Sequence, residues 1–160
     1  MIRMMELTGT HTVEEMQRAV STVAGNRRHR ILAGLTIGQA YDLYNEDPDN
    51  YAKNLEAITM KKMEEFSGVV QAIAVEMSVS LDTAQQLLEN GDAVDLGQLG
   101  SFRDFGRFVW YEGYDGFDLT DEQRQALEEV VNFEEVAERM AKHHFVIEYG
   151  TYGGCWAIVW

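Results

Sequence analysis

The stretch Phe145-Val146-Ile147-Glu148-Tyr149-Gly150-Thr151-Tyr152-Gly153-Gly154-Cys155-Trp156-Ala157-Ile158-Val159-Trp160 decides the fold class of this chain. Two runs rich in β-branched and aromatic residues, Phe145–Tyr149 and Trp156–Trp160, flank a turn through Gly150, Gly153 and Gly154, the pattern of a β-hairpin. The chain upstream of it reads mainly as helix. Helices first and a small antiparallel sheet late predict an α+β fold.

The helical signals begin early. Thr12 and Glu15 form a capping box, and Val13, Met16, Val20 and Val23 recur at spacings of three and four. Gly25-Asn26 is expected to close that helix, ahead of the basic run Arg27-Arg28-His29-Arg30. Thr36 and Gln39 form a second box, opening a helix through Tyr41 and Tyr44. The acidic turn from Asn45 to Asp49 ends it. Leu55, Ile58, Met63, Phe66, Val70, Ile73 and Met77 mark a long helical stretch with a break at Ser67-Gly68. Ser80 caps a further helix that Asn90-Gly91 terminates. Within the aromatic segment from Phe102 to Phe117, Arg107–Tyr111 reads as a strand. Thr120 caps a helix beginning Asp121-Glu122, expected to run, with a kink near Asn132-Phe133, to Lys142. A single domain over 1–160 is expected, with a helical part at about 1–100 and a mixed part at about 101–160.

At 160 residues and 46% hydrophobic, the chain has apolar surface enough for a core. Its one cysteine, Cys155, excludes an intramolecular disulfide. Met1–Leu7 is too short and too polar for an export signal, and no stretch reaches the roughly 18 apolar residues of a membrane helix. A cytoplasmic protein without membrane attachment is expected.

Charge is the dominant feature. Thirteen Lys and Arg stand against 27 Asp and Glu, a net of −14. Residues 1–40 carry five Arg and three Glu, net +2, so everything from Asp42 onward is net −16. Such a field attracts basic partners and repels bare nucleic acid.

Around Val70–Asn90, Ala74 sits where a crossing helix requires a small residue, and Val79, Ala84 and Leu87 sit at inner apolar positions. This segment resembles a helix-turn-helix, although Ser78 stands where that motif usually has glycine. The resemblance covers about 20 residues. It implies that the second helix would present Ser80, Leu81, Asp82, Gln85, Gln86 and Glu89 to a major groove, with Gln85 or Gln86 reading adenine. Asp82 and Glu89 oppose that role, because DNA affinity comes largely from neutralising phosphates.

The acids support a different expectation. A protein can fill a nucleic-acid cleft by placing carboxylates where phosphates, about 3.4 Å apart along a strand, would lie. On a continuous helix Asp121, Glu128 and Glu135 would share a stripe at intervals of about 10.5 Å, with Glu122, Glu129, Glu134 and Glu138 beside it. Glu46, Asp47 and Asp49, and Glu112, Asp115 and Asp118, would extend the surface.

Catalytic patterns are weak. Gly153-Gly154-Cys155-Trp156 has the residue order found around some thiol-protease nucleophiles, but here it leads into a strand rather than a helix. His143-His144 with Glu148 lacks a third metal ligand at standard spacing. Asp115, Asp118 and Asp121 recur every three residues, unlike a calcium loop. No phosphate-binding glycine motif is present.

The expectation is therefore a non-enzymatic acidic binding protein without cofactor or metal. It would inhibit a basic nucleic-acid-binding protein or defence complex, in the manner of anti-restriction and anti-CRISPR proteins of phages. A DNA-binding regulator using Ser80, Gln85 and Gln86 is the alternative, and an immunity-type or adaptor protein for a basic partner is the third. Direct nucleic-acid contact is disfavoured, and a homodimer is left open.

Overall fold

The computed structural model describes residues 12–21 and 24–160. The chain divides into two compact units: one takes in the chain up to Ser67 together with Ala74–Ala84, the other Gly68–Ile73 and Gln85–Trp160. Among the described residues there are nine α-helices, a short 3₁₀ turn and one three-stranded antiparallel sheet, which is the expected α+β class.

In the first unit, α1 (Val13–Ser21), α3 (Ile37–Glu46) and α4 (Tyr51–Met63) build a core of Val20, Ala40, Tyr51 and Leu55, and α2 (Ala24–Ala33) packs against α1 and α4. The box at Thr36 forms, with Thr36 Oγ1 accepting from Gln39 N–H and Gln39 Oε1 accepting from Thr36 N–H. At the start of α1, Thr12 Oγ1 accepts from Glu15 N–H at 3.1 Å. Val23 lies outside the described residues. Gly25-Asn26 does not close a helix but lies in the first turn of α2, so the basic run is helical. The apolar end of that segment, Leu32 and Ala33, is buried and holds the helix in place. The buried Thr59 hydroxyl donates to His29 O at 3.1 Å, tying α4 to α2. Lys62 Nζ donates to Ala33 O at 3.1 Å, placing a cation on the carbonyl end of α2.

The predicted break at Ser67-Gly68 separates α4 from α5 (Gly68–Met77). Three residues, Ser78-Val79-Ser80, then lead into α6 (Leu81–Glu89). Ser78 takes φ 55°, a left-handed conformation that most L-residues avoid. Ser80 Oγ accepts from Thr83 N–H and caps α6 as expected. Gly91, at φ 79°, closes it with Asp92 N–H bonded to Leu87 O.

The second unit contains β1 (Ala93–Gln98), α7 (Phe102–Glu112), α8 (Asp121–Ala126), α9 (Phe133–His143), β2 (Phe145–Tyr149) and β3 (Cys155–Val159). The expected hairpin is β2–β3, paired from Phe145↔Val159 to Tyr149↔Cys155. The strand β1 lies inside the part of the chain, up to about residue 100, that the sequence pattern assigns to helix. It pairs with the other side of β3, giving the order β1-β3-β2. Successive residues Trp156, Ala157, Ile158 and Val159 are all buried, so both faces of the central strand are covered.

Two further expectations are corrected. Arg107–Tyr111 is not a strand but lies within α7. A Ser101–Asp104 capping box starts that helix, and Phe105, Gly106, Val109 and Trp110 are buried at helical spacing. Packing of that stripe against α9 and the sheet overrides the β-propensity of a Phe-Val-Trp-Tyr run. The core joins Phe105, Val109, Phe133, Ala137, Trp156 and Ile158, with Phe105 and Trp156 stacked at 4.9 Å. At the crossing of α7 and α9, a Cβ on Gly106 would lie 1.9 Å from Phe133 O, so only glycine fits.

The long acidic helix is also not continuous. α8 ends at Ala126, a turn follows, and α9 starts afresh at Phe133. Asn132 Oδ1 accepts from Glu134 N–H and Glu135 N–H, capping a new helix, while Phe133 is drawn into the core. Asp121, Glu128 and Glu135 therefore do not share a single helical stripe.

Candidate functional site

The segment from Glu112 to His143 carries most of the expected partner-binding acids, and its geometry is set by a buried ion pair. Arg124 is only 3% exposed and the Asp115 side chain is fully enclosed. Arg124 Nη1 donates to Asp115 Oδ2 at 2.6 Å, and Nη2 donates to Oδ1 at 3.0 Å. The same guanidinium donates to Trp110 O and Phe117 O, both at 2.6 Å, and lies 4.9 Å over the Trp110 ring. Trp110 Nε1 donates back to Arg124 O at 3.2 Å. The hydrogen bonds that Arg124 donates to Asp115 hold its pKa above the ordinary value. This node fastens the loop from Gly113 to Thr120 and α8 onto α7. Asp115 is thus a structural anchor and not a surface acid, correcting its place among the partner-binding residues.

Glu128 is also engaged. It accepts from the Tyr111 hydroxyl in a short hydrogen bond and from Arg107 Nη2 at 2.9 Å. Tyr111, then Arg107, lowers the Glu128 pKa by stabilising the carboxylate, and Glu128 raises that of Tyr111. Arg107 also lies 5.1 Å over the Tyr111 ring. With Asp104, whose pKa is lowered by hydrogen bonds from the Ser101 backbone and then its hydroxyl, these residues line an open polar cleft.

The remaining expected acids of this unit are exposed: Glu112 at the end of α7, Asp118 in the loop, Asp121 and Glu122 in the first turn of α8, and Glu129 in the following turn. Glu134, Glu135 and Glu138 are exposed on α9. None of these eight makes an ion pair with another described residue. Interspersed with them are apolar side chains left in solvent: Phe117 at 44%, Leu127 at 38% and Val130 at 77% exposed. An open groove of about 450 Å³ runs beside α9, with Trp110, Phe117, Val131 and Val136 along it. The sequence analysis singled out none of these three apolar side chains, because whether an isolated apolar residue is buried or exposed depends on tertiary packing and leaves no local signal.

In the first unit, Glu46 and Asp49 are exposed at the corner between α3 and the 3₁₀ turn. Asp47 is half-buried there and accepts from Asn50 Nδ2 at 2.9 Å. Of the residues expected to read DNA, Ser80 is occupied as a helix cap and Gln85 Nε2 donates to Glu89 at 3.1 Å, while Gln86 is exposed. Asp82 pairs with Lys62 at 2.8 Å.

Two other clusters bear on chemistry. Cys155 opens β3 and its thiol donates to Gln98 Oε1 at 3.1 Å. Beside it, the Tyr149 hydroxyl donates to Asp95 Oδ1 at 2.5 Å, and burial followed by that bond raises the Tyr149 pKa. Among the described residues, no three His, Cys, Asp or Glu side chains converge as a metal site requires, and no helix is long and apolar enough to cross a membrane. Comparison with protein-family models, curated proteins and solved structures finds no match to this chain.

Proposed function

We propose that this chain is a non-enzymatic binding protein whose second unit engages a basic, nucleic-acid-handling protein and blocks it. The observation carrying this reading is the set of exposed carboxylates that form no ion pair with another described residue, interspersed along the chain with the exposed apolar side chains of Phe117, Leu127 and Val130. Protein interfaces combine apolar anchors with a polar rim, and the aromatic and aliphatic side chains here have the size of such anchors. The surrounding acids supply steering toward a basic cleft and take the place of phosphates within it. That mimicry rests on charge density, since the carboxylates are spread over α8, a turn and α9 rather than one regular helix.

The test is affinity capture from host lysate with and without nuclease. It is repeated with Asp121→Asn, Glu122→Gln and Glu129→Gln combined. A basic protein retained after nuclease treatment and lost with the triple variant is the expected result. Capture that survives the triple variant, or that vanishes with nuclease, overturns the reading.

A second reading, DNA recognition by α6, is supported by one observation. Ser78 adopts the left-handed conformation at the turn position where the resembling motif has glycine. Salt-dependent duplex binding abolished by Gln85→Ala with Gln86→Ala would establish it over the first.

A further inference from the structure

We propose that the polar cleft between α7 and α8 binds a free apolar α-amino acid, whose carboxylate and ammonium are held by the two halves of an incompletely closed ion pair. The cleft measures about 490 Å³. Asp104, Arg107, Phe108 and Tyr111 line it from α7, where spacings of three, four and seven place them on one face of the helix. Gln125, near the end of α8, and Glu128, in the turn that follows, form the opposite wall. A bond of 3.2 Å from Glu128 N–H to Gln125 O holds those two together.

The ion pair at its centre rests on one contact. Arg107 Nη2 donates to Glu128 Oε1, which also accepts from the Tyr111 hydroxyl. A fully closed pair bonds both carboxylate oxygens to two guanidinium nitrogens. Here no described residue donates to Glu128 Oε2 or accepts from Arg107 Nε or Nη1. An unspent acceptor and unspent donors therefore stand next to each other. Both Ser101 bonds fall on Asp104 Oδ2, so Asp104 Oδ1 is unused among the described residues, as is the Gln125 side-chain amide. Arg107 is already fixed by Glu128 and by the Tyr111 ring, 5.1 Å below it, so little of its freedom is lost on binding.

The ligand class follows from these unspent groups. A simple anion held by Arg107 would face the Asp104 and Glu128 carboxylates, and a simple cation held by those would face Arg107. An α-amino acid carries both charges on one carbon. Its carboxylate takes the Arg107 donors and the Gln125 amide, while its ammonium takes Glu128 Oε2 and Asp104 Oδ1. Half-buried Leu99 and Phe108 on the cleft wall offer an apolar surface to its side chain. A peptide terminus carries only one of the two charges and leaves the other half of the pair unused. The inference does not rest on the partner reading above, since Asp121, Glu122 and Glu129 do not line this cleft.

Titration of the isotopically labelled full chain with L-phenylalanine, followed by NMR, tests this. Saturable shifts are expected at the Arg107 Nε–H, the Gln125 side-chain amide and the Phe108 backbone amide. The expected Kd is about 0.1–5 mM, for a ligand of about twelve non-hydrogen atoms in an open cleft. Phenylethylamine, which lacks the carboxylate, and phenylpropionate, which lacks the ammonium, are each expected to bind more weakly by about 10-fold or more. Gln125→Ala and Asp104→Asn are each expected to weaken binding about 3- to 30-fold, and the latter keeps an oxygen to cap α7. Tryptophan fluorescence checks that the variants are folded. Where Asp104→Asn unfolds the chain, Gln125→Ala decides alone, because that side chain is exposed and makes no bond to a described residue. No saturable shift by about 20 mM ligand, shifts centred outside the cleft, or an analogue that binds as well as L-phenylalanine would each overturn the proposal. A folded Gln125→Ala variant that binds like the wild type would do the same. The titration contains no partner protein, so its failure and the failure of lysate capture are separate results.

Discussion

Replacing Asp115 with Ala should unfold the second unit far more readily than any change to an exposed acid. The Arg124 guanidinium is 3% exposed and its charge is paired with the Asp115 carboxylate through bonds of 2.6 and 3.0 Å. Without that carboxylate the cation stays buried against Trp110 with only two backbone carbonyls for partners. Breaking a buried pair in this way costs about 3–5 kcal/mol, several times the value of a surface ion pair. With a urea slope of about 2 kcal/mol per molar, the midpoint should fall by roughly 2 M. All three tryptophans, Trp110, Trp156 and Trp160, lie in the second unit, so their fluorescence reports its unfolding selectively. Arg124→Met should cost a similar amount, because it strands the Asp115 carboxylate. Asp115→Ala combined with Arg124→Met should cost clearly less than the two single losses together, since no charge remains buried. The carbonyls of Trp110 and Phe117 would still lose a donor, leaving a deficit of about 1–3 kcal/mol. Single variants within about 1 kcal/mol of wild type, or a double variant that is strictly additive, would refute the claim that this ion pair anchors the loop.

Gly106→Ala should destabilise the second unit by about 1–3 kcal/mol or more in the same urea titration, because its Cβ would meet the backbone oxygen of Phe133 at 1.9 Å and α7 and α9 would have to separate. Gly38→Ala in α3, whose Cβ would have only Thr36 Oγ1 nearby at 3.9 Å, is the control and should be neutral or stabilising by up to about 1 kcal/mol. Glu128 titrates below its ordinary value because Tyr111 and Arg107 donate to its ionised form. Its contribution should be complete above the unfolded pKa of about 4.3 and lost as pH falls through the lower folded value. The difference in urea midpoint between wild type and Glu128→Gln should therefore hold from pH 7 to about pH 5 and shrink below pH 4; a difference independent of pH would contradict the assignment.

Local chemistry is sufficient for some features of the fold. The Thr36–Gln39 box, the Thr120 cap, the break at Ser67-Gly68 and the hairpin turn each depend on residues a few positions apart, so their side chains declare them. The strand β1 is different. Ala-Val-Asp-Leu-Gly-Gln has little alternation and a glycine at a bulge, and it becomes a strand by pairing with β3, about 60 residues away. The helical state of Arg107–Tyr111 has the same origin. An aromatic run suits a sheet in isolation, but α9 offered Phe105, Val109 and Trp110 a surface to bury against.

The α+β class, the acidic excess beyond the first 40 residues and the caps at Thr12, Thr36, Ser80 and Thr120 were legible in the chain, because composition, hydrophobic period and capping chemistry are properties of short segments. Which acids are available to a partner was not. Asp115 is consumed by Arg124 and Glu128 is held by Tyr111 and Arg107, whereas Asp121, Glu122, Glu129 and Glu134 remain in solvent. A carboxylate is the same group at every position in a sequence. Only long-range packing decides whether a guanidinium, a phenol or water stands opposite it.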